Sequence, residues 1–305
     1  MKFPYYPGCT LKKNAKNFEI SAIASAKHLG IELIELPRWN CCGAVSSLTS
    51  DDVMHHVAAI RNLVRVQQMN DNGILENEYR LVVLCSMCFN VLKRSNMLVT
   101  KDASTLDKIN SFMDTEPDYE GTVEVKHFLE ILRDEIGFNK VKEKVKNPLK
   151  GLKVSAYYGC TLLRPKEIGI DNAEEPTIME DLISSLGATP INNPYKSLCC
   201  GSYHTVGNKE VVAQRAYKII EGARRNGADV IITSCPLCAF NLDNRQELTK
   251  KLYPNFQHMP ILYFTQLMAL AFGYEDKAGF EGNFVNPIPL LEEKGLLKKI
   301  ISKEG

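Results

Sequence analysis

The sequence carries almost no excess charge and contains no long hydrophobic run. Its 37 lysines and arginines stand against 36 aspartates and glutamates, which leaves a formal net charge of +1. So small an excess argues against a nucleic-acid surface built on bulk positive charge. The apolar stretch near residue 261 is too short and too mixed to span a bilayer, and the first residues show no apolar signal core. We therefore expect a cytoplasmic protein.

A glycine-rich dinucleotide motif is also missing, whereas cysteine is abundant. No Gly-x-Gly-x-x-Gly follows a predicted strand, so nothing indicates a flavin or nicotinamide site. The chain has ten cysteines among 305 residues, 45% of which are hydrophobic. A reducing cytoplasm disfavours a disulfide framework, and a chain of this size can build its cores without one. Metal binding or redox chemistry is the better interpretation of the cysteines.

The ten cysteines form one set of five that occurs twice. The first set is Cys9, Cys41, Cys42, Cys85 and Cys88, and the second is Cys160, Cys199, Cys200, Cys235 and Cys238. The surrounding segments match as well: PYYPGCTL with AYYGCTLL, NCCGA with LCCGS, and LVVLCSMCFN with IITSCPLCAFN. Three matched segments in the same order are an internal repeat, so each half should build the same site.

Each half is predicted to adopt an α/β fold. Strand and helix patterns alternate in both, which is typical of a small open parallel sheet flanked by helices. The charged segment 140–151 lies midway between the repeats and is predicted to be a solvated linker. We therefore expect two pseudo-symmetric domains over residues 1–145 and 146–305.

Two further helix predictions concern less regular parts of the chain. Ser50 and Asp51 offer an N-cap for a long helix that reaches residue 70. A short helix is expected over 290–301, and no function is apparent for it.

Four cysteines follow predicted strands directly. Cys9, Cys85, Cys160 and Cys235 each close a strand, and the working loops of open parallel sheets lie beyond the carboxyl ends of the strands. Cys85 and Cys235 also begin Cys-x-x-Cys segments, which aim two sulfurs at one centre. The helix that follows places its positive end beside the sulfurs, which favours an anionic metal–thiolate group.

The number of thiolates in each set bears on the metal. A structural zinc and a cubane iron–sulfur cluster each take four ligands. Five thiolates fit neither. In a multi-iron cluster of unusual shape, the fifth thiolate could bridge irons or bind an extra iron. Gly43 and Gly201 would allow the tight turns that bring both sulfurs of each cysteine pair to the cluster. We favour such a cluster in each half, with a zinc-stabilised scaffold as the alternative. Neither half has the closely spaced cysteines of a ferredoxin, so electrons must arrive from another subunit.

Two copies of Cys, Cys-Cys-Gly and Cys-x-x-Cys, with GCT at each first cysteine, resemble the CCG-domain family over nearly the whole chain. Within it, the chain is most similar to the B subunit of the heterodisulfide reductases of methanogenic archaea. This resemblance implies an oxidoreductase with two noncubane 4Fe–4S clusters, each held by five cysteines. It also implies reduction of the coenzyme M–coenzyme B heterodisulfide to its two thiols, with dihydromethanophenazine or ferredoxin as the type of electron source.

The resemblance also implies partners: a ferredoxin-like C subunit and a flavin-containing A subunit, linked to a hydrogenase or formate dehydrogenase. Relatives in lactate or glycolate oxidation and in quinone-linked respiration share the cysteine set. An electron-relay subunit of such an enzyme is therefore the alternative. If the chain is the reductase, the disulfide binds between the two clusters, and each cluster gives one electron and takes one sulfur.

Residues beyond the cysteines provide further candidates. Lys13 and Arg164 stand four positions after the first cysteine of each set and are candidate ligands for an anionic substrate, with plain solvation as the alternative. His204 stands four residues after Cys200, where Ser46 is the matching residue of the first half. It is a candidate proton donor to a departing thiolate, or else a hydrogen-bond donor to a cluster sulfur.

The remaining aromatic and imidazole groups receive lesser assignments. Trp39, the only tryptophan, is predicted to pack as a wall beside the first site. The other five histidines are expected away from the cysteines and are given no role: His28, His55, His56, His127 and His258.

Overall fold

The computed structural model describes residues 1–44 and 52–298, and its strands form two groups of four. Ser46, Ser50, Asp51 and the end of the segment 290–301 lie outside the described residues. The first half contains β1 (Lys2–Tyr6), β2 (Glu32–Glu35), β3 (Arg80–Val83) and β4 (Glu124–His127). The second half contains β5 (Lys153–Tyr157), β6 (Thr189–Ile191), β7 (Val230–Thr233) and β8 (Ile261–Tyr263).

Helices connect the strands in both halves. The first half has α1 (Gly8–Leu11), α2 (Lys16–His28), α3 (Val57–Asp71), α4 (Ser86–Lys101), α5 (Ala103–Phe112), α6 (Phe128–Glu130) and α7 (Phe138–Glu143). The second has α8 (Ile178–Ser185), α9 (Lys209–Arg225), α10 (Pro236–Asp243), α11 (Gln246–Leu252), α12 (Phe264–Ala271), α13 (Glu275–Ala278) and α14 (Ile288–Glu293). Short 3-10 turns span Val53–His56, Ser202–His204 and Phe280–Gly282, and a π-helical turn spans Ile131–Ile136.

Each half is built on a parallel sheet of four strands, which confirms the predicted α/β class. The strand orders are β2-β1-β3-β4 and β6-β5-β7-β8. The central pairs align Tyr5 with Val82 and Tyr157 with Thr233. Apart from Arg80 at the start of β3, strands β3 and β7 consist of β-branched and aliphatic residues, as is typical where helices cover both faces of a parallel sheet.

The strand order places a crevice at the ends of the central strands. The chain leaves β1 toward β2 on one side and leaves β3 toward β4 on the other. Ligands of open α/β sheets bind outside the carboxyl ends of the strands, where the strand order reverses in this way. Cys9 follows β1 and Cys85 follows β3, and in the second half Cys160 follows β5 and Cys235 follows β7.

The helix that follows the last strand of the second half packs on the first half. Helix α12 lies against α2, where the hydroxyls of Ser21 and Thr265 are 2.7 Å apart. The rings of Phe18 and Tyr263 stack with centroids 4.2 Å apart and planes within 1° of parallel. Offset or parallel ring pairs of this kind add to the burial energy of the side chains. The two halves therefore share a buried interface.

The segment 140–151 is exposed along most of its length, as the prediction of a solvated linker requires, but two buried residues and the backbone anchor it. Its first residues end helix α7, and Val141 and Leu149 are fully buried. The backbone N–H groups of Lys146 and Asn147 donate to the carbonyl of Ala271 at 3.0 and 2.9 Å. The charged ends of the lysines reach water while Val141 and Leu149 face inward, a difference that charge counting alone does not show. The boundary between residues 145 and 146 stays a prediction.

The length and hydrophobicity of the helices decide whether any of them could cross a membrane. Within the residues that the structure describes, no helix is both long and apolar enough to cross a membrane.

Candidate metal centres

The first cysteine set gathers at the carboxyl ends of β1 and β3. The sulfurs of Cys9 and Cys41 are 3.9 Å apart, and those of Cys42 and Cys88 are 3.6 Å apart. Cys9 and Cys41 are exposed, whereas Cys42, Cys85 and Cys88 are buried. The set therefore has a water-facing side and a side embedded in the core.

The second cysteine set repeats this arrangement, and its sulfurs accept hydrogen bonds. The sulfurs of Cys200 and Cys238 are 3.5 Å apart. The side-chain amide of Asn241 donates to the Cys200 sulfur at 3.4 Å, and the backbone N–H of Gly201 donates to the Cys199 sulfur at 3.4 Å. Such donors stabilise negative charge on sulfur. The second set is also less exposed, because Cys160 and Cys199 are half-buried.

Glycines allow the chain to approach the sulfurs closely. Gly43 and Gly201, which follow the two cysteine pairs, have φ values of 76° and 82°, so the tight turns predicted there are present. Gly8 has a φ of 73°, and a Cβ atom on it would lie 3.2 Å from the Cys88 sulfur. Gly159 stands in the same relation to Cys238, also at 3.2 Å. A side chain at either place would compete for space with the sulfurs.

The two sets meet at Cys85 and Cys235. The hydrogen bond between these thiols is the largest cause of a raised pKa at Cys85, which is completely buried. The adjacent Ser86 hydroxyl lies 2.6 Å from that of Ser234, and the Ser86 N–H donates to the Ser234 carbonyl at 3.1 Å. The N-terminal ends of α4 and α10 therefore adjoin across the interface between the halves.

Neighbouring thiols shift one another's pKa in opposite directions. Hydrogen bonds from Cys41 and Cys88 hold the pKa of Cys42 well below its ordinary value, although burial opposes this. Hydrogen bonds from Cys160 and Cys200 lower the pKa of Cys199 in the same way. Hydrogen bonds to the same two thiols raise the pKa of their partners Cys41 and Cys160. One thiol of each contact is thus favoured as the thiolate, which is the form that binds metal.

The donor chemistry fits a multi-iron cluster in each half. All ten cysteines are free thiols, so none is committed to a disulfide. Among the described residues, no three His, Cys, Asp or Glu side chains converge as ligands of a single ion. The sulfurs instead form pairs spread around each site, as a ligand larger than one ion requires.

A cavity of about 710 Å³ opens beside the first set. All five cysteines of that set line it, together with apolar side chains that include Phe240, Tyr263 and Phe284. Small-molecule sites are typically concave and mostly apolar, with a few polar groups that fix orientation. The cavity therefore has the size and lining of a site for a small organic molecule.

Charged residues of the cavity come from the second half. Arg245 lines it, and the buried Asp243 accepts hydrogen bonds from the N–H groups of Phe284 and Val285 at 2.8 and 3.0 Å. Burial raises the pKa of Asp243 to about 6. Sequence reasoning missed both residues, because they lie far along the chain from the first set and follow no cysteine directly.

The predicted substrate ligands lie elsewhere. Lys13 is exposed and Arg164 is half-buried, and neither is among the residues that line the cavity. The Arg164 guanidinium donates to Glu174 at 2.8 Å and to the Ala173 carbonyl at 3.2 Å. Arg164 is thus engaged with its own loop.

The predicted His204 and Trp39 lie near the sites but outside the cavity. His204 is exposed in the turn after the second cysteine pair, one residue before Thr205, which does line the cavity. Trp39 packs edge-on against Tyr6, with ring centroids 6.0 Å apart, and donates to Glu35 at 2.9 Å. The Tyr6 hydroxyl donates to the carbonyl of Asn40, the neighbour of Cys41, at 2.9 Å, so Trp39 supports the site through that ring.

His127 lies closer to a cysteine than the sequence suggested. Its ring bonds to the carbonyl of Leu84, the neighbour of Cys85, at 2.8 Å and accepts from the Leu129 N–H at 3.2 Å. It occupies the end of β4, next to the end of β3, so sheet order brings together residues that are distant in sequence. Burial lowers the pKa of His127 to about 3, which keeps the ring neutral.

The fold and the two thiol clusters define a two-lobed, cysteine-rich α/β protein. Comparison with protein families gives the same result, because the cysteine-rich domain of the CCG family matches residues 3–93 and 154–243. The chain belongs to this family, as the resemblance of its cysteine segments predicted.

Curated relatives span nearly the whole chain. The chain is 34% identical over 293 residues to the 8-methylmenaquinol:fumarate reductase membrane anchor subunit of Wolinella succinogenes, covering 95% of this chain and 99% of that protein. It is 28% identical over 298 residues to the B subunit of the ferredoxin:CoB-CoM heterodisulfide reductase of Methanosarcina mazei, covering 95% and 96%. These relatives indicate an iron–sulfur redox subunit.

A solved structure shares the fold. The crystal structure of a hypothetical protein from Helicobacter pylori superposes with a TM-score of 0.70 at 12% identity. The match covers 93% of this chain but only 51% of that chain, so this chain spans about half the length of the solved protein. At this level of identity the likeness concerns the fold alone.

Proposed function

We propose that the chain is the iron–sulfur redox subunit of a larger oxidoreductase complex, with one 4Fe–4S cluster in each half. The observation that carries this proposal is the gathering of two complete five-thiol sets, which adjoin where Ser86 contacts Ser234 beside Cys85 and Cys235. Five thiolates exceed the four that a cubane takes, which supports a noncubane form. When bound, each cluster would supply one-electron redox chemistry.

The protein's own residues prepare the sites for this chemistry. The sulfurs of Cys85 and Cys235 are buried away from water, and the contact between the neighbouring Ser86 and Ser234 holds the two sites close together. Donors from Gly201 and Asn241 stabilise negative charge on the second set. The first set instead opens on the cavity, where a small molecule can reach its sulfurs.

A quinone or quinol is the substrate class that the cavity lining supports best. One guanidinium, that of Arg245, and a largely apolar wall suit a neutral ring that carries carbonyl oxygens. The exposed side chains of Val206 and Phe284 also line the cavity and offer an apolar path for a hydrophobic tail. A relative of the chain takes its name from 8-methylmenaquinol, which agrees with this choice.

The coenzyme M–coenzyme B heterodisulfide is the second candidate. The meeting of the two cysteine sets favours it, because cleavage of a disulfide between two clusters needs them close together. Its sulfonate, phosphate and carboxylate groups, however, need several cations, whereas Arg245 is the one basic residue among the described residues that line the cavity. Lys13 and Arg164 would have to move to serve it.

The proposed setting includes partner proteins and a reducing compartment. Ten free thiols suit the cytoplasm. A ferredoxin-like partner and a flavin-containing partner, with a hydrogenase, formate dehydrogenase or respiratory dehydrogenase beyond them, would exchange electrons with this chain. His204 is exposed beside the second set and stays a candidate proton donor at that surface.

Reoxidation of the reduced protein distinguishes the two substrates. The anaerobically reduced protein is mixed with menadione or with the heterodisulfide, and visible absorbance of the clusters is followed. For a quinone substrate we expect a rate that saturates with menadione and is inhibited by 2-heptyl-4-hydroxyquinoline N-oxide. Release of two thiols from the heterodisulfide, together with a new paramagnetic signal on adding coenzyme M thiol, would instead establish the second candidate. Failure of both would leave an electron relay without a small-molecule substrate.

A further inference from the structure

We infer that the two cysteine sets differ in function: a small molecule binds beside the first set only, and Arg245 of the second half anchors it. This inference rests on the proposed redox function and adds the location and the selecting residue of the substrate site. It departs from the symmetric expectation, in which both sets face the substrate equally.

The cavity itself is asymmetric. It is lined by all five cysteines of the first set, and none of its described lining residues is a cysteine of the second set. The residues between Cys235 and Cys238, which are Pro236 and Leu237, do line it. The second half therefore contributes a wall to the first site, whereas its own cysteines are not among the described residues that line the cavity.

A side-chain clamp closes the corresponding region of the second set. Asn90, five residues after Cys85, donates to the carbonyls of Thr161 and Arg164 at 2.7 and 2.8 Å. These bonds hold the chain that immediately follows Cys160 against the first half. The residue five positions after Cys235 is Phe240, whose ring has no donor and lines the cavity instead. The difference between Asn90 and Phe240 at matching positions of the repeats thus accounts for a closed second site and an open first site.

Arg245 has unused hydrogen-bonding capacity at the cavity. Its guanidinium donates to the Thr205 carbonyl at 3.0 Å and to the Asn244 side chain at 3.2 Å, and it lies 4.9 Å from the centroid of the Phe240 ring. Its Nε atom is buried and has no hydrogen-bond partner. The N–H groups of Nη1 and Nη2 that the bonds to Thr205 and Asn244 leave over are the ones that can donate to a ligand oxygen in the cavity.

Arg245 is also free of a competing carboxylate. Within the described part of the chain it forms no ion pair, and the nearby Asp243 is occupied by the backbone of Phe284 and Val285. Its positive charge is therefore directed to a ligand. At Arg164, by contrast, Glu174 already occupies the guanidinium.

A binding assay tests this assignment without turnover. The probe is 2-heptyl-4-hydroxyquinoline N-oxide, a redox-inert bicyclic quinone analogue whose fluorescence is quenched on binding, titrated into the anaerobic cluster-loaded protein. We expect Arg245→Gln to raise the dissociation constant at least tenfold and Arg245→Lys to raise it less. Ala239→Phe, which fills the cavity, should abolish binding. Arg164→Gln should leave the dissociation constant unchanged.

Iron and sulfide content and circular dichroism of each variant control for loss of the fold. Unchanged affinity in both Arg245→Gln and Ala239→Phe, with eight irons retained, would overturn the inference and leave the redox function intact. A protein without clusters would instead refute the proposed function. Probe-induced change in the paramagnetic spectrum should persist in Cys199→Ser and disappear in Cys41→Ser, and the reverse pattern would place the substrate at the second set.

Discussion

The hydroxyls of Ser86 and Ser234 lie 2.6 Å apart at the junction of the two cysteine sets. Both side chains are fully buried, and each stands beside a cysteine in sequence, Ser86 after Cys85 and Ser234 before Cys235. Because a buried hydroxyl without a partner is costly, this pair ties the positions of the two sites together.

Removal of one hydroxyl from this pair should destabilise the protein. We expect Ser86→Ala to lower the free energy of unfolding by about 1–3 kcal/mol, since it leaves the Ser234 hydroxyl unpaired. The double variant Ser86→Ala/Ser234→Ala should cost less than the sum of the single changes. Anaerobic denaturant unfolding measures these differences. The exposed Ser111→Ala serves as the control, and strictly additive costs would show that the two hydroxyls do not interact.

Loss of the Asn241 amide should affect the second centre alone. Its donation to the Cys200 sulfur stabilises the reduced, more negative state, and hydrogen bonds to sulfur tune cluster potentials. We therefore expect Asn241→Leu to lower the reduction potential of the second centre, as measured by potentiometric titration with paramagnetic detection. The matching residue in the first half is Val91, so the first centre should keep its potential. Asn244→Leu is the control, and an equal shift in that variant would contradict this assignment.

Low pH should reduce the folding stability of the protein because of His127. Burial lowers the pKa of this ring to about 3 from an ordinary value of 6.5. The unfolded chain therefore binds more protons between these values, and stability falls as the pH decreases from about 6.5 toward 3, by up to about 1.4 kcal/mol per pH unit.

His127→Gln should reduce this slope, because glutamine is neutral throughout and can still donate and accept. Anaerobic thermal unfolding from pH 7.5 to 5 provides the comparison, with the exposed His258→Gln as the matched control. Equal pH dependence of the natural protein and His127→Gln would mean that the buried ring does not carry the effect.

Much of the fold and the gathering of the cysteines could be predicted from the sequence. The internal repeat predicted the two halves of the chain. The β-branched runs before Cys85 and Cys235 predicted the strands that end at the cysteine-bearing edge of each sheet. These features depend on local pattern and on the general behaviour of parallel sheets.

The substrate-side residues could not be found in this way. Arg245 and Phe240 reach the first set only through packing of the halves, and Asn90 shows its effect only through contacts with the loop after Cys160. His127 likewise lies next to Leu84 because β4 pairs with β3. Residues that only the tertiary structure brings together show no characteristic spacing in the sequence.

The content of iron and acid-labile sulfide in the protein purified without oxygen tests the central claim most directly. Two five-thiol sets that each hold a four-iron cluster predict about eight irons and eight sulfides per chain. The variants Cys42→Ser and Cys200→Ser should each lose about half of both. One zinc per half with no sulfide would contradict the account and establish a metal-stabilised scaffold instead.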